Sequence, residues 1–571
     1  MIGVKCLFVV IALYGVSADW WEHEVFYQIY PRSFADSDGD GVGDLIGIKQ
    51  RLGHIKDAGI NSTWISPIFK SPMVDFGYDI SDFTQIYSEF GTVDDFKELS
   101  DEAARLGIRL IMDFVPNHTS DQHEWFQLSL NRTEGYEDFY VWVNGTLDSE
   151  GNLQPPNNWI SNFGNGAWTY DEGRGQFYLH QFSPKQPDLN MRNPKVLQAL
   201  KDVMKFWLDI GVSGFRVDAI PFFYEDIELR DEPRTYDPTA TPNDYKYLNH
   251  IYTLNQPETY DLIYEWREFL DNYSRETDNV TRIMMTEAYA DIQETVLYYG
   301  DGERKGAHLT FNFFLLTDLN INSTAYDFMF TINKWISYLP VQYVSNWVVG
   351  NHDNPRVGSR MGAERIDGIN MLVMFLPGVG VTYYGEEIGM LDGYVSWEDT
   401  KDPIGLTAGP QKYQAVSRDI ERTPFQWDDS KNAGFSKGNS TWLPVASNYK
   451  TLNLKAEKEA SQSHYKIYQQ LIELRKITTM KEGELIVKAL NKNVLTALRY
   501  LPGHESYVYV FNIGANTELV DLSHYVEIQN QLEVVLTSVD ASLPKGTQVS
   551  KQFNVGPYEA YILEVSPATT A

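Results

Sequence analysis

Three acidic residues stand at or just after the ends of short apolar runs, at widely separated points of the chain. They are Asp218, Glu287 and Asp353. Cleavage of a glycosidic bond with retention of configuration needs one carboxylate to attack the anomeric carbon and a second carboxyl, kept protonated, to protonate the leaving oxygen. Asp218 and Glu287 fit these two roles if the fold brings them together.

The apolar runs predict the elements that would do so. Between residues 25 and 384 they alternate with amphipathic stretches of helical length, and they lie at residues 25–30, 62–65, 109–114, 214–217, 282–286, 308–313, 345–349 and 380–384. This alternation is typical of parallel strands joined by helices, and it predicts an α/β fold, the (β/α)8 TIM barrel. Functional groups of that barrel come from the carboxyl ends of its strands, so the three acids would meet at one rim.

Burial of three carboxylates near one another is costly unless cations or protons compensate. Arg216, His118 and His352 lie at matching strand ends. A single aspartate is more often a solvated loop residue or half of a structural ion pair, and a single histidine is more often a core imidazole bonded to the backbone. The joint placement of these residues favours a functional site.

Two further regions depart from the barrel pattern. Residues 118–190 are too many for a connection between a strand and a helix, and they are rich in Asn, Gly, Trp and Tyr, which predicts an inserted domain B. Alternating apolar residues without helical segments predict a C-terminal antiparallel β-sandwich domain at residues 481–571. The barrel would then consist of residues 19–117 and 191–480.

The first 18 residues are typical of a signal peptide. An apolar run at residues 7–16 precedes Val16-Ser17-Ala18, a small-residue cleavage pattern, and it is shorter than the ~20 residues of a membrane span. Cys6, the single cysteine, lies in this leader. We therefore expect a secreted, extracellular protein without disulfides or a membrane anchor. Glycosylation sequons suit that location, and they begin at Asn61, Asn131, Asn144, Asn272, Asn279, Asn322 and Asn439.

Charge and composition restrict the partners. The formal net charge of −31 would repel nucleic acid and anionic lipid. The 14 Trp and 36 Tyr residues supply flat faces that suit sugar rings. We therefore expect a small carbohydrate as the partner and no organic cofactor, and the sequence leaves the oligomeric state open.

Five motifs, in their order and separation, resemble the α-amylase-type glycoside hydrolase family, and specifically its maltase and oligo-α-glucosidase branch, which includes secreted insect maltases. They are Asp113-Phe-Val-Pro-Asn-His118, Gln186-Pro-Asp-Leu-Asn190, Gly214-Phe-Arg-Val-Asp218, Thr286-Glu287-Ala and Asn351-His-Asp353. The resemblance covers nearly the whole mature chain. It implies that Asp218 is the nucleophile, that Glu287 is the acid/base and that Asp353 grips sugar hydroxyls and favours ring distortion.

The same resemblance implies the residues that bind the sugar. Arg216 would hold Asp218 ionised, and His118 and His352 would contact hydroxyls of the glucose that is cleaved. The pocket floor would be formed by Asp75 and Tyr78, with Tyr78 stacked under the ring. Arg422 would form a pocket wall, although a surface salt bridge is the alternative role for this arginine.

The substrate also follows from the resemblance. In this branch the residue after the nucleophile tracks linkage preference, and Ala219 goes with α-1,4 bonds. An exo-acting α-glucosidase, or maltase, is implied, which removes terminal glucose from maltose, short malto-oligosaccharides and sucrose. A transglycosylase or sucrose isomerase, an endo-acting amylase and a catalytically silent binding relative are the alternatives. The silent relative would need a membrane anchor and lost acids, neither of which the sequence has.

A loop near the N-terminus predicts a metal site. Asp36, Asp38, Asp40 and Asp44 alternate with glycines and other residues, a pattern that suits a hard cation bound by oxygen. Gly47 replaces the glutamate that an EF-hand needs at its twelfth position. The family resemblance places a structural Ca²⁺ on these four aspartates and the carbonyl of Val42. The alternative is an Asp/Gly-rich turn without metal.

Overall fold

The computed structural model describes residues 18–526, 528 and 531–565. The predicted signal peptide, except Ala18, lies outside the described residues, and so does Cys6. Among the described residues, the structure contains no helix with both the length and the apolar character needed to cross a membrane.

Eight parallel strands form the barrel that the sequence predicts. They are Val25–Ile29, Ser62–Ile65, Arg109–Phe114, Gly214–Val217, Ile283–Thr286, Leu309–Thr310, Asn346–Trp347 and Val379–Tyr383. Neighbouring strands follow the chain from the first to the sixth, and the first strand also pairs with the eighth, which pairs with the seventh. The sixth and seventh strands, each of two residues, therefore stand at the two ends of the sheet.

The side chain of Asn346, in the seventh strand, forms hydrogen bonds to the backbone at the end of the sixth strand. Its Oδ1 accepts a hydrogen bond from the backbone N of Asn312 at 2.8 Å, and its Nδ2 donates to the carbonyl of Thr310 at 2.7 Å. An amide side chain carries one acceptor and one donor group, as a peptide does. The side chain of Asn346 therefore forms the hydrogen bonds that a backbone peptide group would form between two paired strands.

Most of the helices cover the outside of the barrel, whereas Glu124–Leu130 lies in the inserted segment and Ile404 of Pro403–Ala408 lines a cavity at the barrel rim. The longer ones are Leu45–Asp57, Val93–Leu106, Glu124–Leu130, Pro194–Ile210, Pro257–Glu276, Ala325–Tyr338, Ile366–Phe375 and His464–Leu474. The shorter ones are Pro31–Phe34, Ile292–Thr295, Phe314–Thr317, Val357–Met361, Pro403–Ala408, Leu454–Glu459 and Thr478–Glu482. Helix Pro194–Ile210 shows why they form: Asn193 caps its start, and Gly211, in the left-handed conformation, ends it.

The predicted inserted domain contains a small antiparallel sheet. Its strands are Trp142–Val143, Trp168–Asp171 and Gln176–Leu179, and a separate hairpin pairs Thr146–Leu147 with Leu153–Gln154. Isolated bridges from His118 to Asp188 and from Tyr140 to Leu189 join the start and the end of the segment. The insertion therefore leaves and rejoins the barrel beside His118, one of the predicted site residues.

The C-terminal region is antiparallel, as predicted. Six strands form one sheet, Glu484–Ala489, Val494–Tyr500, Ser506–Asn512, Leu532–Thr537, Gln548–Val549 and Ala560–Val565, and Glu518–Asp521 pairs with Gln552–Val555. Buried residues of both sheets share one apolar core. The domain contacts helix Ile366–Phe375, where the hydroxyl of Tyr509 donates to the carbonyl of Gly368 at 2.7 Å.

Candidate active site

A cavity of about 220 Å³ lies at the carboxyl ends of the barrel strands. Six of the predicted site residues line it: Asp75, Tyr78, His118, Asp218, Glu287 and Asp353. Asp218 and Glu287 are both buried, at 7% exposure each. The fold therefore brings together, around one cavity, acids that are far apart in the sequence.

The strand ladders set the positions of the two central acids. The backbone N of Asp218 donates to the carbonyl of Phe114 at 2.9 Å, and the backbone N of Glu287 donates to the carbonyl of Val217 at 2.9 Å. Each bond extends a parallel ladder one residue beyond the assigned strand. Both side chains consequently stand at equivalent heights on the barrel rim.

Arg216 lies behind the cavity and joins three carboxylates. Its Nη1 is 2.5 Å from Oδ1 of Asp218, and its Nη2 is 2.6 Å from Oε1 of Glu287. The second carboxylate oxygen of Glu287 accepts from the backbone N of Ala219 at 3.2 Å. Burial raises the pKa of Asp218, and the negative charges of Glu287 and Asp113 raise it further, while the Arg216 guanidinium opposes them.

Asp113 is a residue whose contribution sequence reasoning missed, although it begins one of the recognised motifs. It is fully buried and contacts Nη1 of Arg216 at 2.9 Å. Burial raises the pKa of Asp113 to about 6, against the effect of Arg216. Asp113 also accepts from Nε1 of Trp64 at 3.2 Å, so it orients Arg216 toward the two acids that line the cavity.

Asp353 lies among positively charged groups. Its Oδ1 is 2.9 Å from Nη2 of Arg422 and 3.2 Å from Nη1 of Arg418, and its Oδ2 is 3.4 Å from Nε2 of His352. Burial alone would raise the pKa of Asp353, but His352, Arg418 and Arg422 together hold it below its usual range. Asp353 is therefore an ionised hydrogen-bond acceptor, as a residue that grips sugar hydroxyls must be.

The rings of Tyr78 and His352 stack on each other beside Asp353. Their ring centroids are 5.4 Å apart at an interplanar angle of 6°. Nε2 of Gln28 donates to Nδ1 of His352 at 2.8 Å, which leaves the ring proton on Nε2, 2.6 Å from the Tyr78 hydroxyl. The ring of His352 is 1% exposed, so it supports Tyr78 from behind and does not line the cavity.

The structure places Arg418 where the sequence had predicted Arg422. Arg418 lines the cavity, and its Nη2 is 2.8 Å from Oδ1 of Asp75. Arg422 lies behind Asp353, is 1% exposed and donates from Nε to the carbonyl of His352 at 2.6 Å. Both arginines belong to the segment Ser417-Arg-Asp-Ile-Glu-Arg422, and nothing in the sequence indicates which one faces the cavity.

Aromatic side chains that sequence reasoning did not identify line the rest of the cavity. They are Phe163, Phe182, Phe222 and Tyr289. The rings of Phe163 and Phe182 are 5.7 Å apart, and those of Phe182 and Phe222 are 4.9 Å apart. His118 packs against this group, 5.0 Å from Phe182, and its burial lowers its pKa to about 4, so its imidazole is neutral.

Three of the predicted metal ligands lie together. Carboxylate oxygens of Asp36, Asp38 and Asp40 all fall within 4.8 Å of one another. Asp44 does not belong to this group, because its Oδ1 caps helix Leu45–Asp57 by accepting from the backbone N of Gly47 at 2.7 Å. The convergence of three carboxylates suits a hard cation. The pKa of Asp40 is raised by burial and by the charges of Asp38 and Asp36, a repulsion that a cation would relieve.

The predicted glycosylation sites differ in exposure. Five asparagines are exposed: Asn131, Asn144, Asn279, Asn322 and Asn439. Asn61 and Asn272 are half-buried, and the two residues after Asn61 are buried in the second barrel strand.

Comparison with known proteins identifies one family. The family model for the alpha-amylase catalytic domain matches residues 28–483. The chain is similar to Maltase 1 of Drosophila virilis, with 51% identity over 96% of this chain and 87% of that protein. It is similar to a salivary alpha-glucosidase of Aedes aegypti, with 48% identity over 93% of this chain and 92% of that protein. Among solved structures, the alpha-glucosyl transfer enzyme XgtA is similar, with a TM-score of 0.84, 32% identity and coverage of 96% of this chain and 100% of that one.

Proposed function

The chain belongs to the α-amylase family of glycoside hydrolases, and we propose that it is a retaining, exo-acting α-glucosidase that releases terminal α-1,4-linked glucose from maltose, short malto-oligosaccharides and sucrose. One observation carries this proposal. Asp218 and Glu287 line the same cavity and are held by opposite arms of one guanidinium, that of Arg216.

The two acids divide the chemistry between them. Asp218 attacks the anomeric carbon, and the bond to the leaving oxygen breaks as Glu287 transfers its proton to that oxygen. Glu287, now ionised, takes a proton from water, whose oxygen attacks the same carbon and releases Asp218. Two displacements at one carbon return the α-configuration.

The shape of the cavity supports the removal of one glucose at a time. Arg418 connects Asp75 and Asp353, which both line the cavity, so these three charged groups close one side of it. Fixed donors and acceptors in a small cavity favour one orientation of a single sugar ring. The leaving group would then contact the other side of the cavity, which is lined by the aromatic side chains of Phe163, Phe182, Phe222 and Tyr289.

Product analysis by NMR tests the proposal directly. Maltose, isomaltose, sucrose and trehalose would be supplied separately, and the anomer formed first would be recorded before mutarotation. We expect α-glucose from maltose and sucrose, and much slower release from isomaltose. Release of β-glucose would contradict retention, and preferential release of longer oligosaccharides from starch would contradict exo action.

Glucosyl transfer to a second sugar is the alternative supported by a specific observation. The structurally similar XgtA is an alpha-glucosyl transfer enzyme, and aromatic rings at the cavity present apolar faces to which an acceptor sugar can bind. The same NMR experiment at high maltose concentration distinguishes the outcomes. Trisaccharides that accumulate faster than free glucose would favour transfer over hydrolysis.

We also propose that the protein is secreted as a glycoprotein. The leader pattern supports secretion, and so do the similar salivary alpha-glucosidases, while the five exposed sequon asparagines offer sites for glycans. Expression in a secretory host should give medium-borne protein that begins at Asp19 and loses mass on treatment with an N-glycanase. Retention of the protein in the cell membrane would contradict this proposal.

A structural Ca²⁺ is a separate proposal. Asp36, Asp38 and Asp40 would hold the ion, and the carbonyl of Val42 and a carboxylate oxygen of Asp44 complete the set that we propose. The ion would neutralise the mutual repulsion of these carboxylates. The loop also contacts the region around residue 435, because the backbone N of Asp36 donates to the carbonyl of Phe435 at 2.9 Å.

A further inference from the structure

Tyr289 lies at the catalytic cavity, but no step of the proposed reaction uses its hydroxyl. It follows Glu287 by two residues, beyond the end of the fifth strand, and it lines the cavity. Its side chain is accessible to a ligand there, because Tyr289 is 43% exposed. Since Glu287 is assigned to protonate the leaving oxygen, a residue beside it lies close to the leaving group.

The ring of Tyr289 is held in one orientation. It stacks on Phe313, which follows the sixth strand, with centroids 4.4 Å apart and an interplanar angle of 16°. Its hydroxyl accepts hydrogen bonds from Nδ2 of Asn351 at 2.8 Å and from Nδ2 of Asn354 at 3.1 Å. Tyr289 is therefore fixed, at its ring and at its hydroxyl, to the segments that follow the sixth and seventh strands.

The orientation of both amides is determined by their other hydrogen bonds. Oδ1 of Asn351 accepts from the backbone N of Asp353 at 3.0 Å and from Nδ2 of Asn354 at 3.0 Å. A backbone N–H can only donate, so it faces Oδ1 of Asn351, and the donor Nδ2 of Asn351 faces Tyr289. Asn354 must likewise present Nδ2 to that Oδ1. The hydroxyl oxygen of Tyr289 therefore accepts two hydrogen bonds, which occupy both of its lone pairs.

The proton of this hydroxyl remains available. In the part of the chain that the structure describes, no acceptor lies within hydrogen-bond distance of it. Partial burial and the negative charges of Glu287 and Asp353 raise the pKa of Tyr289 well above its usual value, so the hydroxyl stays protonated. With both lone pairs occupied, Tyr289 offers the cavity a hydrogen-bond donor in a fixed position.

We propose that Tyr289 determines specificity for the leaving sugar, because its hydroxyl donates a hydrogen bond to a hydroxyl oxygen of the glucose that departs from maltose. Each hydroxyl oxygen of that glucose can accept such a bond. A glucoside without a second sugar leaves the donor unused. The inference rests on the proposed function, since a leaving sugar exists only if the chain cleaves bonds between sugars.

A purely structural role for the hydroxyl has a different consequence. Tyr289 binds Asn351, and Asn351 binds the backbone of Asp353, so loss of the hydroxyl would loosen the turn that presents Asp353. Asp353 is assigned to the glucose that the enzyme retains, and every α-glucoside substrate contains that glucose. A structural role would therefore lower activity on all α-glucosides by the same factor.

Two substrates distinguish these roles. Maltose carries a leaving glucose, whereas α-glucosyl fluoride contains the same retained glucose with fluoride as the leaving group. Tyr289→Phe should lower kcat/KM for maltose by about 5-fold to 10-fold more than kcat/KM for α-glucosyl fluoride, which is the effect of one hydrogen bond between neutral groups. Tyr326→Phe is the matched control at an exposed helical position, and it should change neither value.

A second variant tests the structural role by itself. Asn354→Ala removes one donor to the Tyr289 hydroxyl but keeps the hydroxyl, so any loss should be equal for the two substrates. Equal losses in Tyr289→Phe, or no loss, would overturn the proposal. If the unmodified protein hydrolyses neither substrate, the proposed function itself fails, so the two failures are distinguishable.

Crystals of Glu287→Gln soaked with maltose would locate the hydrogen bond. This variant cannot protonate the leaving oxygen, so maltose should remain intact. We expect a hydroxyl oxygen of the reducing-end glucose within ~3.2 Å of the Tyr289 hydroxyl oxygen. A reducing-end glucose whose hydroxyls all lie farther away, or reach Tyr289 only through water, would overturn the proposal.

Discussion

Nη2 of Arg216 lies 2.6 Å from Oε1 of Glu287, so the residue assigned to donate a proton is paired with a cation that also contacts Asp218. The pKa of Asp218 is raised by burial and by the charges of Glu287 and Asp113, while the Arg216 guanidinium opposes these effects. Asp218 is therefore coupled electrostatically to Glu287.

The coupling predicts a shift in pH dependence in the variant Glu287→Gln. Asp218 must be ionised to attack, so a raised pKa moves the loss of activity at low pH toward neutrality. Removal of the Glu287 charge lowers the pKa of Asp218, and the acid limb of kcat/KM should move to lower pH by about one unit. The substrate is p-nitrophenyl α-glucoside, whose leaving group needs no protonation. An unchanged or higher acid limb would contradict the coupling.

Azide tests the assignment of the nucleophile. Asp218→Ala should lower kcat by about 10⁴-fold or more, since the variant lacks the carboxylate assigned to attack the anomeric carbon. Azide can enter the space that the side chain leaves, and the product should be the β-glucosyl azide. Near-UV circular dichroism should match that of the unmodified protein. Full activity of the variant, or an α-glucosyl azide as the product, would refute the assignment.

Arg418 should affect substrate binding through Asp75 and Asp353, two of the three carboxylates that it contacts; the third is the buried Asp402. Arg418→Ala leaves Asp75 and Asp353 without this partner, and kcat/KM for maltose should fall by about 10²-fold, because each group loses one of the contacts that orient it. Arg418→Lys keeps the charge but not the planar fork, so it should restore only part of the loss. The measurement is steady-state kinetics on maltose, with Arg105→Ala, at an exposed helical position, as the control. Equal kinetics for Arg418→Ala and Arg105→Ala would remove Arg418 from the site.

The barrel was predictable from the sequence because its strands are buried on both faces and read as apolar runs. The acids were predictable because each stands at or just after the end of such a run, and the carboxyl ends of barrel strands meet at one rim. The positions of Phe163 and Arg418 were not, since each lies on an irregular segment whose path depends on contacts distant in sequence. The role of Asp44 had a local signal that the metal interpretation overlooked. An aspartate directly before a helix, here Leu45–Asp57, is a typical N-cap.

Removal of calcium provides a test of the loop around Asp38. If Asp36, Asp38 and Asp40 hold Ca²⁺, a chelator should lower Tm, because three neighbouring carboxylates are left to repel one another. The effect should weaken as pH falls, since protonated carboxylates no longer bind the metal. Asp38→Asn should unfold at a Tm that no longer responds to the chelator, while Asp101→Asn, at an exposed helical position, should respond like the unmodified protein.

The metal content of the same samples connects the stability change to the ion. Elemental analysis after dialysis should give one calcium per chain in the unmodified protein and less in Asp38→Asn. A substitution of Asp44 distinguishes metal binding by this loop from capping of helix Leu45–Asp57. Asp44→Asn can still cap the helix, since asparagine is an equally good N-cap, so any loss of calcium in this variant comes from the lost charge. If Asp44→Asn keeps both its calcium and its Tm, Asp44 is a helix cap alone, and the metal site reduces to the three converging aspartates.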